Sequence, residues 1–186
     1  MFVIKVKPEI IQHGKEQVKK YNFGQRYTAN GNQEQQLTGI IGQSVIMDLF
    51  GLGLVDGSTG FDEGVDIVYE GVKMDVKTMG RTTDVREGYV NNFIALQKGF
   101  DTNVYVFCSY HKRKRELTVC GWTTKSDFLK KAQLFKKGSI RTRSDGSTFV
   151  TKADLYEIAN KDLNDVDSFD ELKADLSKLT NPKQTE

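Results

Sequence analysis

Alternating apolar and polar residues mark two short strands in the first half of the chain. Residues 66–69 and 72–77 each follow a period of two, and a two-residue turn separates them. With such a turn, the apolar side chains of both strands share one face, and Asp66 lies directly opposite Asp75 on the other face. Lys77 follows Asp75 by two residues and therefore points to the same side. The pattern predicts a hairpin that presents two facing carboxylates and one amine.

Apolar positions that recur every three to four residues predict helices around this hairpin. The longest runs from 32 to about 50, with Asn32 as its N-cap. Gly39 and Gly42 are poor helix residues, and they make sense if this helix packs closely against the hairpin. The other predicted elements are strands at 2–7, 103–110 and 117–122, helices at 9–20, 89–98 and 126–136, a hairpin over 140–150, a short element at 154–160 and an amphipathic helix at 165–179.

This order of elements predicts an α/β or α+β fold in which helices flank a mixed central sheet. The length of 186 residues suits one domain with its own core. We place that domain at 1–160 and regard 161–186 as an acidic helical C-terminal tail, which either docks on the body or binds a partner. No run reaches the roughly 20 apolar residues of a membrane span, and no secretory signal is recognisable. We therefore expect a soluble cytoplasmic protein without a membrane partner.

Charge is distributed unevenly, although the net charge is only +2. Residues 111–143 contain eleven Lys and Arg against two acids, whereas 161–186 contain four Lys against seven acids. A basic middle region favours a polyanionic partner such as nucleic acid, although an ordinary solvated surface has the same composition. The two Cys and two His are too few and too scattered for a zinc site, so we expect Cys108 and Cys120 to stay reduced and partly buried.

The cations that we expect at a nucleic-acid surface lie in loops and hairpin turns. Lys and Arg in such positions bind phosphates whatever the base sequence, and the alternative in each case is a solvated surface. With a two-residue turn in the 140–150 hairpin, two of these Arg would share one face of the ribbon. The predicted contacts are Arg26, Arg81, Lys112, Arg113, Lys114, Arg115, Arg141 and Arg143.

The segment Asp66…Asp75-Val76-Lys77 resembles the PD-(D/E)xK signature of restriction-endonuclease-like phosphodiesterases. That signature is an Asp, about ten residues, then an acidic residue, any residue and Lys. Val65 stands where the signature usually has Pro. The resemblance implies a restriction-endonuclease-like core and a Mg²⁺-dependent endonuclease, with Mn²⁺ as a substitute. It also implies duplex or branched DNA as substrate and a homodimer, because two strands need two sites.

The resemblance further implies a role for each residue of the site. Asp66, Asp75 and the carbonyl of Val76 would hold the metal, and Lys77 would act on the attacking water or on the phosphate. A hard divalent cation between the two carboxylates would also offset their mutual repulsion. These four residues are the candidate catalytic and metal-binding set.

In the superfamily, the helix before the catalytic hairpin often supplies a further acid to the metal. Glu34, in the first turn of the long helix, is the candidate for this role. Gln43 stands where related enzymes with a Gly-x-x-Gly-Glu pattern carry Glu, and it offers an oxygen without charge. Gln97 is a further supporting candidate. Either Glu34 or Gln43 would complete the metal site.

Several functions remain compatible with these residues. Holliday-junction resolvases, small restriction enzymes, phage-encoded endonucleases and RNA nucleases would all use the same site. The alternative from another class is a DNA-binding protein without catalysis, in which the acidic pair is structural or decayed. Gln43 in place of Glu supports that alternative, and dependence of cleavage on a divalent metal separates the two classes.

Overall fold

Residues 1–23, 31–59, 64–142 and 146–180 are described by the computed structural model of the protein. Its α-helices are α1 (Pro8–Lys20), α2 (Gln33–Leu49), α3 (Lys125–Lys131) and α4 (Phe169–Thr180). Its strands are β1 (Phe2–Lys5), β2 (Ile67–Tyr69), β3 (Val72–Arg81), β4 (Val90–Ile94), β5 (Val104–His111), β6 (Glu116–Thr124), β7 (Gln133–Phe135), β8 (Ile140–Thr142), β9 (Thr148–Val150) and β10 (Leu155–Ala159). Short 3₁₀ helices cover Gly57–Thr59, Ala95–Gly99 and Asn160–Asp162.

A five-stranded mixed sheet in the order β1-β6-β5-β3-β2 forms the centre of the fold. Its β3 and β5 are parallel, and its other neighbouring strands are antiparallel. A smaller antiparallel sheet has the order β4-β10-β7, and β8 and β9 form a separate hairpin. The predicted class, a mixed central sheet with helices, is confirmed.

The two faces of the central sheet have different cores. On one face, apolar residues of α1, α2 and α4 pack against even-numbered residues of β3 and β5, such as Met74 and Val106. On the other face, odd-numbered residues such as Tyr105 pack with Phe93 of β4 and Phe128 of α3. Because strand side chains alternate, each residue of β3 points either toward the helices or toward the smaller sheet.

The longest helix lies close to β3. Asn32 caps α2 as predicted, since its side chain accepts a hydrogen bond of 2.9 Å from the Gln35 N–H. A Cβ on Gly42 would lie only 1.8 Å from Thr78 Oγ1 and 2.7 Å from Thr78 Cβ. The predicted close packing is therefore confirmed at Gly42, whereas Gly39 has open space around it.

The predictions for 89–98 and 126–136 need correction. The first segment is not a helix but β4 followed by a 3₁₀ helix, because β4 pairs with β10. Its apolar residues do not share a face: Phe93 is 1% exposed, whereas Leu96 is 57% exposed. The second helix ends at Lys131, and the chain continues as β7, which pairs with the opposite edge of β10.

The C-terminal helix packs on the body of the protein. Leu172 and Leu176 of α4 are fully buried in the same core as α2 and β3. Of the alternatives for this amphipathic segment, docking on its own chain is therefore the observed one. No helix in the described ranges has the length and apolar character needed to cross a membrane.

Candidate functional site

The hairpin of β2 and β3 has the predicted register. Ile67 pairs with Met74, and Tyr69 pairs with Val72 across a two-residue turn. Both turn residues have positive φ, 48° at Glu70 and 83° at the glycine that follows. Such a turn matches the twist of the flanking strands. Asp66 precedes β2 and donates its N–H to the Met74 carbonyl, so its predicted pairing with Asp75 lies beyond the paired residues of the hairpin.

The Asp66 carboxylate lies against the backbone of β3. Its Oδ2 accepts a hydrogen bond of 2.7 Å from the Val76 N–H, and the Asp66 N–H donates to the Met74 carbonyl at 2.9 Å. The N–H and C=O of one strand residue point to the same edge, so the Val76 carbonyl faces the same side as Asp66. Asp66 and Val76 thus bring two oxygen donors to one edge of β3.

Asp75 and Lys77 form a buried ion pair next to this edge. Asp75 is 1% exposed, and Lys77 Nζ lies 2.6 Å from Asp75 Oδ1. The ammonium also lies 5.7 Å from the centre of the Phe93 ring. Burial of a carboxylate is costly unless a cation compensates it, and Lys77 is that cation in this structure. The predicted proximity of Asp75 and Lys77 is therefore present, whereas the observed contact of the Asp66 carboxylate is with the Val76 N–H.

Tyr105 is a neighbour of this site that the sequence did not reveal. It lies in β5, aligned with Asp75 in the parallel pairing of β3 and β5. Burial and the negative charge of Asp75 both raise the pKa of the Tyr105 phenol far above its usual value. A parallel pairing between distant segments leaves no local signal, so only the sheet register identifies this residue.

Glu34 is not brought to the site, which corrects the prediction. Its carboxylate lies 2.5 Å from Lys112 Nζ, and α2 covers the face of β3 opposite to that of Asp75. Gln43 follows Gly42 in α2 and therefore also lies on the side of the helices. Gln97 is buried in the 3₁₀ helix after β4, and within the described residues its side chain has no hydrogen bond to the acidic pair.

The protein oxygens at the site could supply only part of the ligand shell of a magnesium ion. In the described parts of the chain, no group of three or more His, Cys, Asp or Glu is arranged to hold a metal ion. Two carboxylates and the Val76 carbonyl are nevertheless hard oxygen donors. Mg²⁺ usually keeps several waters and binds one or two carboxylates together with substrate phosphate. The residues therefore fit Mg²⁺, provided that water and phosphate supply the remaining ligands.

Arg81 and Arg141 are used by the fold, contrary to their predicted role at an open nucleic-acid surface. Arg81 donates a hydrogen bond of 2.7 Å to the Val90 carbonyl. Arg141 donates two hydrogen bonds, of 3.1 and 2.7 Å, to the buried Glu157 carboxylate. The β8–β9 register also pairs Arg141 with Phe149, not with the residue that a two-residue turn would require. Each guanidinium thus stabilises the fold by hydrogen bonds to another segment of the chain.

The turn between β5 and β6 keeps exposed cations. Lys112 and Lys114 form ion pairs with Glu34 and Asp84, but all four side chains are at least one-third exposed. Such pairs contribute about 0–1 kcal/mol, so phosphate oxygens can replace the carboxylates. In the described part of the chain no ion-pair partner is present for the other two exposed cations of the turn, Arg113 and Arg115. The predicted contacts Arg26 and Arg143 lie outside the described residues.

The arrangement presents hard oxygen donors, of Asp66 and of the Val76 carbonyl, at one edge of β3 and an amine beside Asp75. The exposed basic turn lies at the far end of the same strand. In comparisons with models of protein families, with curated proteins and with solved structures, nothing matches this chain.

Proposed function

We propose that the protein is a metal-dependent endonuclease that hydrolyses DNA phosphodiester bonds within a restriction-endonuclease-like core. The observation that supports this most is a pair of contacts at neighbouring residues of β3, one made by Asp66 and one between Asp75 and Lys77. Asp66 Oδ2 lies 2.7 Å from the Val76 nitrogen, and Lys77 Nζ lies 2.6 Å from Asp75 Oδ1. Two acids and an amine are the groups that the PD-(D/E)xK resemblance implies for metal-assisted phosphodiester hydrolysis.

In the proposed mechanism, Asp66, Asp75 and the Val76 carbonyl would hold Mg²⁺, for which Mn²⁺ would substitute. When bound, the cation would lower the pKa of a water and offset charge on the phosphate. Lys77 then exchanges its contact with Asp75 for a contact with phosphate oxygen, where its charge stabilises the transition state. The apolar ring of Phe93 beside the Lys77 ammonium excludes water and so strengthens these charge interactions.

The position of the basic turn is compatible with a DNA duplex running along β3. A Cβ on Gly80 would lie 2.8 Å from Lys112 Cε, so the turn begins beside Gly80. Gly80 follows Asp75 by five residues, which corresponds to roughly 16 Å of strand. That distance equals about five base pairs of B-DNA. Because Gly80 faces α2 and Lys77 lies over Phe93 on the other face, a duplex cut at Lys77 has to pass the end of β3 to bring a phosphate to the exposed turn. Cleavage of both strands would use a homodimer.

The test compares single variants with an exposed ion pair on the same strand as control. Asp75→Asn and Lys77→Ala should each lower cleavage of supercoiled plasmid about 10²–10⁴-fold, with DNA binding largely kept. Lys73→Ala removes another β3 lysine, whose ion pair with Asp101 is exposed. We expect its effect to stay within about threefold, because exposed pairs contribute little. EDTA should abolish cleavage by the wild type.

Several results would contradict this function. Full cleavage by both Asp75→Asn and Lys77→Ala would remove these residues from the mechanism, and cleavage in EDTA would exclude metal dependence. A four-way junction, single strands and RNA in the same gel identify the substrate, since a resolvase prefers the junction and an RNA nuclease prefers RNA.

The second candidate is a DNA-binding protein without catalysis. The buried ion pair between Asp75 and Lys77 favours it, because the two charges already satisfy each other and Glu34 is engaged by Lys112. Such a protein would bind DNA equally well in Mg²⁺ and EDTA and would never shorten it. The same cleavage and binding assays therefore distinguish the nuclease from the DNA-binding protein without catalysis.

A further inference from the structure

Two nitrogen atoms at the end of β5 converge on one carboxylate oxygen. Asp84 Oδ1 forms an ion pair with Lys114 Nζ, and His111 Nε2 lies 3.8 Å from the same oxygen. The N–H of Lys114 donates a hydrogen bond of 3.2 Å to His111 Nδ1, so the hydrogen of the neutral imidazole is on Nε2. The hydrogen bond and charge of Lys114, with a smaller effect of His111, lower the pKa of the Asp84 carboxyl. The carboxylate is therefore held as an anion between these two nitrogens.

The fold fixes the two donors, whereas their acceptor is an exposed side chain. The His111 side chain is only 10% exposed. The Lys114 carbonyl accepts a hydrogen bond of 2.6 Å from Lys5 Nζ, which ties the turn to β1. Asp84 lies in the loop between β3 and β4, and its side chain is 75% exposed. Because exposed ion pairs contribute little to stability, another anion can replace this carboxylate at small cost.

The two donors lie on the same face of the central sheet as the ion pair of Asp75. His111 is aligned with Arg81 in the parallel pairing of β3 and β5, and Arg81 follows Lys77 by four residues. Because strand side chains alternate, His111 points toward the smaller sheet, as Lys77 does. The loop of Asp84 is on this side too, since Val85 packs against the core there. Four strand residues span roughly 13 Å, which equals about four base-pair steps of B-DNA.

We propose that His111 Nε2 and Lys114 Nζ form a binding site for one backbone phosphate of DNA, and that Asp84 occupies this site until DNA displaces it. The inference rests on the proposed function only for DNA as the partner, and it does not require cleavage. A phosphate has several acceptor oxygens and can accept hydrogen bonds from both nitrogens. The displaced Asp84 side chain moves into solvent. Asp84 thus competes with the phosphate and lowers the affinity for DNA.

The experiment measures binding of a fluorescein-labelled DNA duplex by anisotropy, with the full chain and in EDTA, so that cleavage does not interfere. Asp84→Asn removes the competing charge. Asp101→Asn is the matched control, because it removes the same charge from a similarly exposed carboxylate that pairs with Lys73. We expect Asp84→Asn to raise DNA affinity about two- to fivefold above Asp101→Asn. In a Lys114→Ala background the two substitutions should have equal effects, because the contested cation is absent.

Two substitutions of His111 separate phosphate binding from folding. His111→Gln keeps one acceptor for the Lys114 N–H and one donor, whereas His111→Leu keeps neither. We expect the DNA affinity of His111→Gln to stay within about twofold of the wild type, and that of His111→Leu to fall about three- to tenfold. Melting temperatures of both variants show that the protein compared is folded.

Each outcome bears on the inference. Equal effects of Asp84→Asn and Asp101→Asn in the otherwise unchanged chain would overturn the competition, and so would an excess effect of Asp84→Asn that persists with Lys114→Ala. Equal losses of affinity in His111→Gln and His111→Leu would show that His111 is structural and does not bind phosphate. If the wild type binds DNA but does not cleave it in Mg²⁺, the nuclease fails, while these affinities still decide on the phosphate site. A wild type that binds no DNA would overturn both.

Discussion

The contact between α2 and β3 predicts opposite effects for two neighbouring glycines of one helix. Gly39 and Gly42 both lie in the interior of α2. An alanine Cβ at Gly39 meets nothing within 4 Å, whereas at Gly42 it would lie 1.8 Å from Thr78 Oγ1 and 2.7 Å from Thr78 Cβ. Rotation of the Thr78 side chain can relieve the first contact. It cannot relieve the second, so the helix or the strand must move.

The magnitudes follow from helix propensity and from overpacking. Either Gly→Ala substitution favours the helix by about 0.5–1 kcal/mol. At Gly42 the same gain is opposed by an overpacking cost of about 1–3 kcal/mol. Because the propensity gain is common to both variants, the difference between them measures the overpacking alone. For a chain of this size, that difference corresponds to a gap in melting temperature of about 2–12 °C.

The assay is thermal unfolding of both variants followed by circular dichroism, with Thr78→Ala added to each. Thr78→Ala removes Oγ1 and Cγ2, two of the three close contacts, so it should restore part of the stability lost by Gly42→Ala. In the Gly39→Ala background it should give no such recovery, because the two sites share no contact. Equal melting temperatures of Gly39→Ala and Gly42→Ala would refute the close approach of α2 to β3.

Three further predictions concern the surface and the buried polar groups. Replacing Arg113 and Arg115 together by Ala should make DNA binding less dependent on salt. The fall of log K with log salt should become less steep by about 2, measured by fluorescence anisotropy. Cys108 and Cys120 should resist a thiol reagent at pH 8 until denaturant is added, because burial raises the pKa of both thiols. Arg141→Ala should cost about 3 kcal/mol in chemical denaturation, because it leaves a buried carboxylate without its cation. A salt slope equal to that of the wild type would contradict the first prediction. Rapid labelling of the folded protein would contradict the second, and an unchanged free energy of unfolding of Arg141→Ala would contradict the third.

Local patterns were enough to predict the hairpin and the helix beside it. The alternation of side chains in β2 and β3, with Gly71 in the turn, determines which residues face each other. Asn32 determines where α2 begins, and Gly42 indicates the close approach. Each of these features depends on residues near one another in the chain or on one helix face. For that reason, a single sequence contains them.

Long-range pairing explains what the sequence could not predict. The segments that become β4 and β7 look helical by the spacing of their apolar residues, but both pair with β10, which lies twenty or more residues away along the chain. Tyr105 is placed beside Asp75 by the parallel pairing of β3 and β5. Strand preference depends on such neighbours more than on local propensity.

The alternation of β3 also explains why Glu34 cannot serve the site that the signature predicts. Thr78 and Gly80 face α2, so a side chain from the first turn of that helix reaches the end of β3 on the packing face. Asp75 points to the opposite face, toward the smaller sheet. A carboxylate on α2 would have to pass through the sheet to join Asp75. The helix therefore supports the strand mechanically, and a side chain that is to join Asp75 has to lie on the opposite face of the sheet, where Tyr105 lies.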